Sequence, residues 1–307
     1  MITHYFRTLK DDELKELDET RSGVWTHVVK PTDEELELLT KEYALDEAVL
    51  EDAKDFFEVP RLERSGGVSY FFTRYPFDQN EEDVDTAPLL IVMGESFVVT
   101  IAQKSVPQFK CFFEGKEEIH TTQKTKLFLQ IMESIVNSYD KKLIRLRRAV
   151  HRDRAHLRYI GNKEVVRLVN YEHELNDMVA ALVPTNAWLE QVMEANYMQL
   201  YSEDKELMED LRIATRQLVE SARSVLKTIQ NVRNASEAIL TNNLNATIRT
   251  LTILTILLTV PTIVASLYGM NIDLPLANHP HMFWLIVLFI LMVVSLLVWL
   301  FRRNRWL

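Results

Sequence analysis

A single cysteine, Cys111, stands among 307 residues, so no disulfide can form within the chain, and a reducing compartment suits it. Glycine is scarce too, at seven residues, and none of them builds a Gly-rich phosphate loop. No Ser/His/Asp or Cys/His set suggests nucleophilic catalysis, which argues against an enzyme on a membrane anchor. His4 and His27 lie in strand-like runs and are read as structural. The opening residues, MITHYFRTLKDDELKE, hold no apolar run, and no cleaved signal peptide is expected. Proline is missing between Pro107 and Pro184 and again between Pro184 and Pro261, and Gly161 is the only glycine from 116 to 268. Such stretches suit long helices.

What is present divides sharply along the chain. Residues 1–60 carry 17 Asp/Glu against 7 Lys/Arg, while the whole chain has a net charge of -9. An acidic amino-terminal domain argues against nucleic acid as a partner and tolerates cations. Residues 1–120 read as a cytoplasmic α/β domain. Strands are expected over 2–7, Val24–Val29 and 68–75, with a hairpin over 88–102 turning at Gly94-Glu95. A helix should begin after Thr32, the N-cap, with Glu35 completing a capping box, and a short second helix should cover 49–57. Residues 121–202 read as a helical pair, 125–159 and 163–200, joined at Gly161-Asn162, with a kink expected at Pro184. The first of the pair is strongly basic over 141–158, at Lys141, Lys142, Arg145, Arg147, Arg148, Arg152, Arg154 and Arg158. That run is either a solvated face paired with acidic neighbours or a basic surface near an anionic membrane or acidic partner. His151, Asp153 and His156 lack a second ligand set and are read as surface residues.

A stalk helix should occupy 203–268, capped by Ser202, with acids in its first turn. Its 65 residues from 203 to 267 would reach about 98 Å at 1.5 Å per residue, so it needs lateral packing. A heptad supplies a seam. Leu211, Leu218, Val225, Val232 and Ile239 recur every seven residues, with Thr215, Ala222, Ile229 and Ser236 four after the first four. The end of this helix, 250–268, is apolar and uncharged, as is 283–301, and each is long enough to cross a bilayer. The first span carries hydroxyls at Thr252, Thr255, Thr259, Thr262 and Ser266, in steps of three and four that mark one helix face. The same register runs back through Ile248 and Asn245 to Asn234 and on to Glu203. Hydroxyls in a membrane helix can simply bond their own backbone and help helices pack. Five in one register, continued by Asn245, favour the wall of a water-filled path. Two spans cannot enclose such a path, so several copies must surround an axis. The loop 269–282 has no Lys or Arg, whereas Arg249 precedes the first span and Arg302, Arg303 and Arg305 follow the second. The positive-inside rule therefore places both termini in the cytoplasm of a multi-pass protein of the cell's inner or plasma membrane, with a basic tail at 302–307.

Tyr268-Gly269-Met270-Asn271 between two carboxy-terminal spans, after Asn245 and Leu251-Thr252, resembles the CorA family of divalent metal ion transporters. Trp25 to Thr32 followed by Glu34-Glu35-Leu36 is similar to that family's amino-terminal pattern, and the resemblance covers nearly the whole chain. It implies an α+β cytoplasmic domain, long helices and a two-span helical membrane domain, assembled as a funnel-shaped homopentameric channel. It also implies magnesium as substrate, sometimes cobalt or nickel, with a zinc-transporting branch sharing the motif, and cytosolic magnesium binding between subunits to favour closure. No cofactor is expected. On this resemblance Gly269, Met270 and Asn271 form the selectivity mouth. Asn245, Thr252, Thr255, Thr259, Thr262 and Ser266 line the pore, and Ile248 and Leu251 make a hydrophobic gate. Glu203, Glu206, Glu209 and Asp210 are candidate regulatory metal ligands, or ordinary acids of a helix start. Gly269 is expected to permit the backbone conformations that turn the chain there, and Tyr268 and Met270 to pack the turn. Asp273 is the loop's only carboxylate, so an outer cation-concentrating ring is weak. His279 and His281 are loop residues that could also attract zinc. A proton-coupled zinc transporter and a non-transporting membrane-anchored coiled-coil scaffold remain the alternatives.

Overall fold

The structure, a computed structural model, describes residues 1–78, 84–155, 162–194, 197, 198, 200–270 and 281–304. It falls into two compact units, 1–232 and 233–307.

The first unit is built on a seven-stranded sheet. Its strands are β1 (Ile2–Phe6), β2 (Lys15–Leu17), β3 (Val24–Val29), β4 (Arg61–Ser65), β5 (Val68–Asp78), β6 (Val84–Met93) and β7 (Phe97–Ala102), in the order β2-β1-β3-β7-β6-β5-β4. Among the pairings of the described strands, only that of β3 with β7 is parallel. The central strands are covered on both faces, which is why they read as apolar runs. One face carries Val28, Tyr70, Phe72, Leu90, Val92, Val99 and Ile101 and packs on α1 (Asp33–Tyr43) and α2 (Glu47–Asp52) through Leu36, Leu39, Val49 and Leu50. The other carries Trp25, Phe71, Tyr75, Leu89, Ile91 and Val98 beneath α3 (Lys110–Phe113), α4 (Lys124–Ala155) and α5 (Asn162–Glu194).

Local chemistry sets these elements. Thr32 caps α1, and its reciprocal bonds with Glu35 complete the expected capping box. The 88–102 segment is the expected antiparallel hairpin, turning where Gly94 N–H donates to the Phe97 carbonyl at 3.2 Å. His27 is 7 % exposed, and its Nδ1 lies 2.9 Å from Thr100 Oγ1, which also accepts from the Trp25 indole at 3.0 Å. With the Thr100 oxygen taken by the indole, its own proton is available to Nδ1 of a neutral ring. Burial accordingly pushes the His27 pKa down to about 4. His4 is likewise satisfied, by Thr26 at 2.9 Å.

Several boundaries differ from expectation. The second short helix covers Glu47–Asp52 rather than 49–57, because Asp46 caps it by accepting from Ala48 N–H at 3.1 Å. β2 and β4 went unread. Both are edge strands, and β4 (RLERS) is mostly charged, with the Arg61 guanidinium 4.0 Å above the Phe72 ring. α5 passes through Pro184 and stops at Glu194, short of the expected residue 200. Gly161, expected to end the first helix of the pair, lies outside the described residues.

The stalk is α6 (Ser202–Tyr268), a continuous 67-residue helix. Ser202 is its first helical residue and not its cap. The N–H of the preceding residue, Tyr201, donates to the Asp204 carboxylate at 3.2 Å. The heptad seam is the buried face. Leu211, Thr215, Leu218, Ala222, Val225, Ile229, Val232 and Ser236 are all buried, and those up to Val232, apart from Thr215, belong to the same core as α4 and α5. Ile239, the last heptad position, is half-buried. The second unit holds the rest of α6 and α7 (Met282–Arg303). Both helices are long and apolar enough to cross a membrane.

Candidate functional site

The candidate ion path is a face of α6, and burial along the helix defines that face. In the apolar end, Ile253 is buried and Ile256, Leu257, Val260, Pro261 and Val264 are half-buried. Thr252, Thr255, Thr259, Thr262 and Ser266 are all exposed in the single chain. At 100° per residue, the hydroxyl face centres about 150° from the shielded one. The hydroxyl stripe is therefore turned away from the contacts this chain makes within its own second unit.

Each threonine of the stripe donates its hydroxyl proton to a carbonyl one turn back. Thr252 donates to Ile248 at 2.8 Å, Thr255 to Leu251 at 2.9 Å, Thr259 to Thr255 at 2.7 Å and Thr262 to Leu258 at 2.8 Å. With the proton held by the backbone, what each hydroxyl presents outward is lone pairs. Thr247 and Thr250 lie off the stripe and bond back in the same way, at 3.0 and 2.9 Å. The back-bond alone therefore does not mark a path; the shared face does.

The register continues downward. Asn245, Ile248 and Leu251 are exposed, as are Asn234, Asn231, Lys227, Ser224, Glu220, Gln217 and Asp210. The exposed face thus runs through both compositions of the helix, whereas the buried heptad seam ends at Ser236. The segment 240–252 is exposed on every side, and within it Leu240, Leu244, Ile248 and Leu251 fall on one face at i, i+4, i+8 and i+11. Leu240 and Leu244 extend the Ile248–Leu251 pair and were not singled out from the sequence, although their spacing is visible there.

At the end of α6, Gly269 N–H donates to the Ala265 carbonyl at 2.9 Å. Gly269 does not adopt a left-handed φ. A Cβ at this position would sit 3.2 Å from the Ala265 oxygen, so close approach favours glycine here. Tyr268 and Met270 are 39 % and 49 % exposed, so within one chain they do not pack the turn. Asn271, Asp273 and His279 lie outside the described residues.

Among the candidate regulatory acids, Glu203, Glu206 and Asp210 are exposed. Glu209 is engaged by Arg212 at 2.5 and 3.0 Å, and that hydrogen bond holds its carboxyl below the usual range. Glu203 also borders a cavity of about 710 Å³ with Glu95, Lys124 and Asp204. Among the described residues no group of three or more His, Cys, Asp or Glu side chains is placed to hold a metal ion.

The model of the CorA-like Mg2+ transporter protein family matches residues 21–303. The chain belongs to that family. It is a membrane transporter of divalent metal ions, not an enzyme. It is 25 % identical over 300 residues to the cobalt/magnesium transport protein CorA of Methanocaldococcus jannaschii, covering 92 % of this chain and 91 % of that one. It is 21 % identical over 312 residues to the Bacillus subtilis protein YfjQ, covering 99 % and 96 %. The complete structure of the M. jannaschii CorA magnesium transporter has the same fold, with a TM-score of 0.89 at 21 % identity over 100 % of this chain and 99 % of that one. An α+β domain, long helices and two carboxy-terminal spans are the shared architecture.

Proposed function

We propose that this CorA-family protein is a homopentameric channel for potential-driven influx of hydrated Mg2+, with Co2+ and Ni2+ as lesser substrates. The observation that carries this reading is the exposed stripe of Thr252, Thr255, Thr259, Thr262 and Ser266, whose threonine protons are engaged by the backbone. Waters bound to a cation turn their hydrogens outward, and a wall of fixed acceptors suits that shell. Mg2+ dehydrates reluctantly, so a path that accepts hydrogen bonds from its waters avoids the cost of stripping them. Asn271 offers a carboxamide oxygen to the same waters, and a carboxamide ring holds the ion less tightly than a carboxylate ring, which favours release. Asn245 repeats the polar contact lower down. Ile248 and Leu251, with Leu240 and Leu244 below, supply an apolar stretch that can close by dewetting.

Assembly from several copies is supported by the bare segment 240–252. A helix bare on every side over that length is marginal in water and calls for neighbours around it. Inward flow follows the membrane potential, worth about 2.3 kcal/mol per charge per 100 mV. Cytosolic Mg2+ closes the channel by binding carboxylates contributed by two copies, with Asp210, Glu206 and Glu203 the candidates on the stalk. Glu209, already paired with Arg212, is the weakest of the four.

The test is Mg2+ uptake by vesicles containing the reconstituted chain. Uptake lost in Asn271→Ala, with the protein still folded and inserted, supports the channel. Uptake equal in wild type and Asn271→Ala, or absent from both, supports a membrane-anchored scaffold instead.

A further inference from the structure

The strongly basic end of α4 has no part in the ion path. Lys141, Arg145, Arg148 and Arg152 fall within about 60° of one another on an ideal helix, and Arg147, His151 and Arg154 form a second row beside them. All seven are exposed. Among the described residues, Lys141, Arg147, Arg148 and Arg154 have no carboxylate within ion-pair distance, and Arg145 has only Asp78 at 3.7 Å. The neighbouring start of α5 is unusual in the opposite way. Val165, Val166 and Val169 are 39 %, 58 % and 47 % exposed on one face, whereas Leu168 between them is buried. The ion pair of Arg167 with Asp153, at 3.3 Å, fixes this turn of α5 beside the end of α4. One end of the α4–α5 hairpin thus joins unpaired cations to exposed valines.

From this juxtaposition we infer that the α4–α5 end is a docking surface for anionic lipid headgroups at a bilayer surface. Guanidinium forks match phosphate oxygens in pairs, and a cluster of Lys and Arg beside small apolar side chains suits the headgroup region. An acidic face of a second copy fits less well. Some acids of the amino-terminal stretch already hold their own cations, with Asp33 on Lys54, Glu37 on Lys41 and Asp52 on Arg61, and an acidic face offers the valines nothing.

The test uses the full chain carrying Cys111→Ser and Val166→Cys, labelled at residue 166 with a fluorophore. The protein is reconstituted in bilayers of phosphatidylcholine, or of an equal mixture with phosphatidylglycerol, each containing a lipid spin-labelled at its headgroup. Quenching about threefold stronger in the anionic bilayer is expected. It should fall to the neutral-lipid level with Arg147→Glu, Arg148→Glu and Arg154→Glu combined, and persist when the same three are changed to lysine. Equal quenching in both bilayers, or none in either, overturns the inference. So does disulfide cross-linking of the unlabelled Val166→Cys protein to a second copy, without lipid quenching in the labelled sample. Persistence of the lysine variant separates lost charge from lost folding.

Discussion

At the scale of the residue, the hydroxyl register carries the account. Thr259 and Thr250 make nearly the same back-bond, at 2.7 and 2.9 Å, but only Thr259 lies on the stripe. Thr259→Val keeps the shape and removes a ring of acceptors. A barrier raised by about 1.4 kcal/mol would slow Mg2+ uptake about tenfold. Thr250→Val should leave uptake within about twofold, and equal effects of the two would mean that back-bonding alone is what matters. A second residue-scale prediction concerns acid stability. His27 is held near pKa 4 by burial, whereas an unfolded histidine titrates near 6.5. The unfolded chain binds the extra proton between those values, so the stabilising effect of neutral His27 is complete above about pH 6.5 and lost as pH falls toward 4. Its size is on the order of 3 kcal/mol. Thermal unfolding from pH 4 to 7 should show a shallower slope in His27→Gln than in wild type, and parallel slopes would refute the assignment. The capping box was legible at Thr32 and Glu35 because it acts between near neighbours in sequence. The close approach of Gly269 to the Ala265 oxygen was not legible, because it depends on how the helix ends.

At the scale of the element, α6 is one helix with two separately readable faces. Its heptad seam was visible in sequence because a seven-residue repeat of Leu and Val survives interruption by Thr215, Ala222 and Ser236. The small side chains at those positions are buried as fully as the large ones. Ile229 is wholly buried, so Ile229→Ala should cost about 3 kcal/mol, whereas exposed Lys227→Ala should change little. Denaturant unfolding followed by helical circular dichroism reads the difference. Strands β2 and β4 were not legible, since edge strands need no apolar alternation and β4 is mostly charged. The end of α5 was missed for a related reason, because nothing in the sequence before residue 200 breaks a helix as Pro or Gly would. On the stalk, Asp210→Asn should weaken inhibition of uptake by internal Mg2+ several-fold, and Glu209→Gln should act less because Arg212 already neutralises that carboxylate. Inhibition unchanged in Asp210→Asn would remove it from the regulatory set.

At the scale of the whole molecule, a single chain leaves its most informative surfaces uncovered. The hydroxyl stripe faces away from the chain's own contacts, the segment 240–252 is bare on every side, and Tyr268 and Met270 are half-exposed. Additional copies around an axis would close the hydroxyl stripe, and the leucine face below it, into a lumen. The two spans were plain in the sequence because uncharged runs of this length have few other uses. The transported ion was not, because hydroxyl and carboxamide oxygens accept hydrogen bonds from the water shell of more than one divalent cation. The most direct measurement is uptake of Mg2+, Co2+ and Zn2+ by vesicles containing the purified protein, with and without a proton gradient and at a set membrane potential. The account predicts Mg2+ uptake that rises with an inside-negative potential and needs no proton gradient. Zn2+ uptake that requires the proton gradient, with no Mg2+ flux, would contradict it.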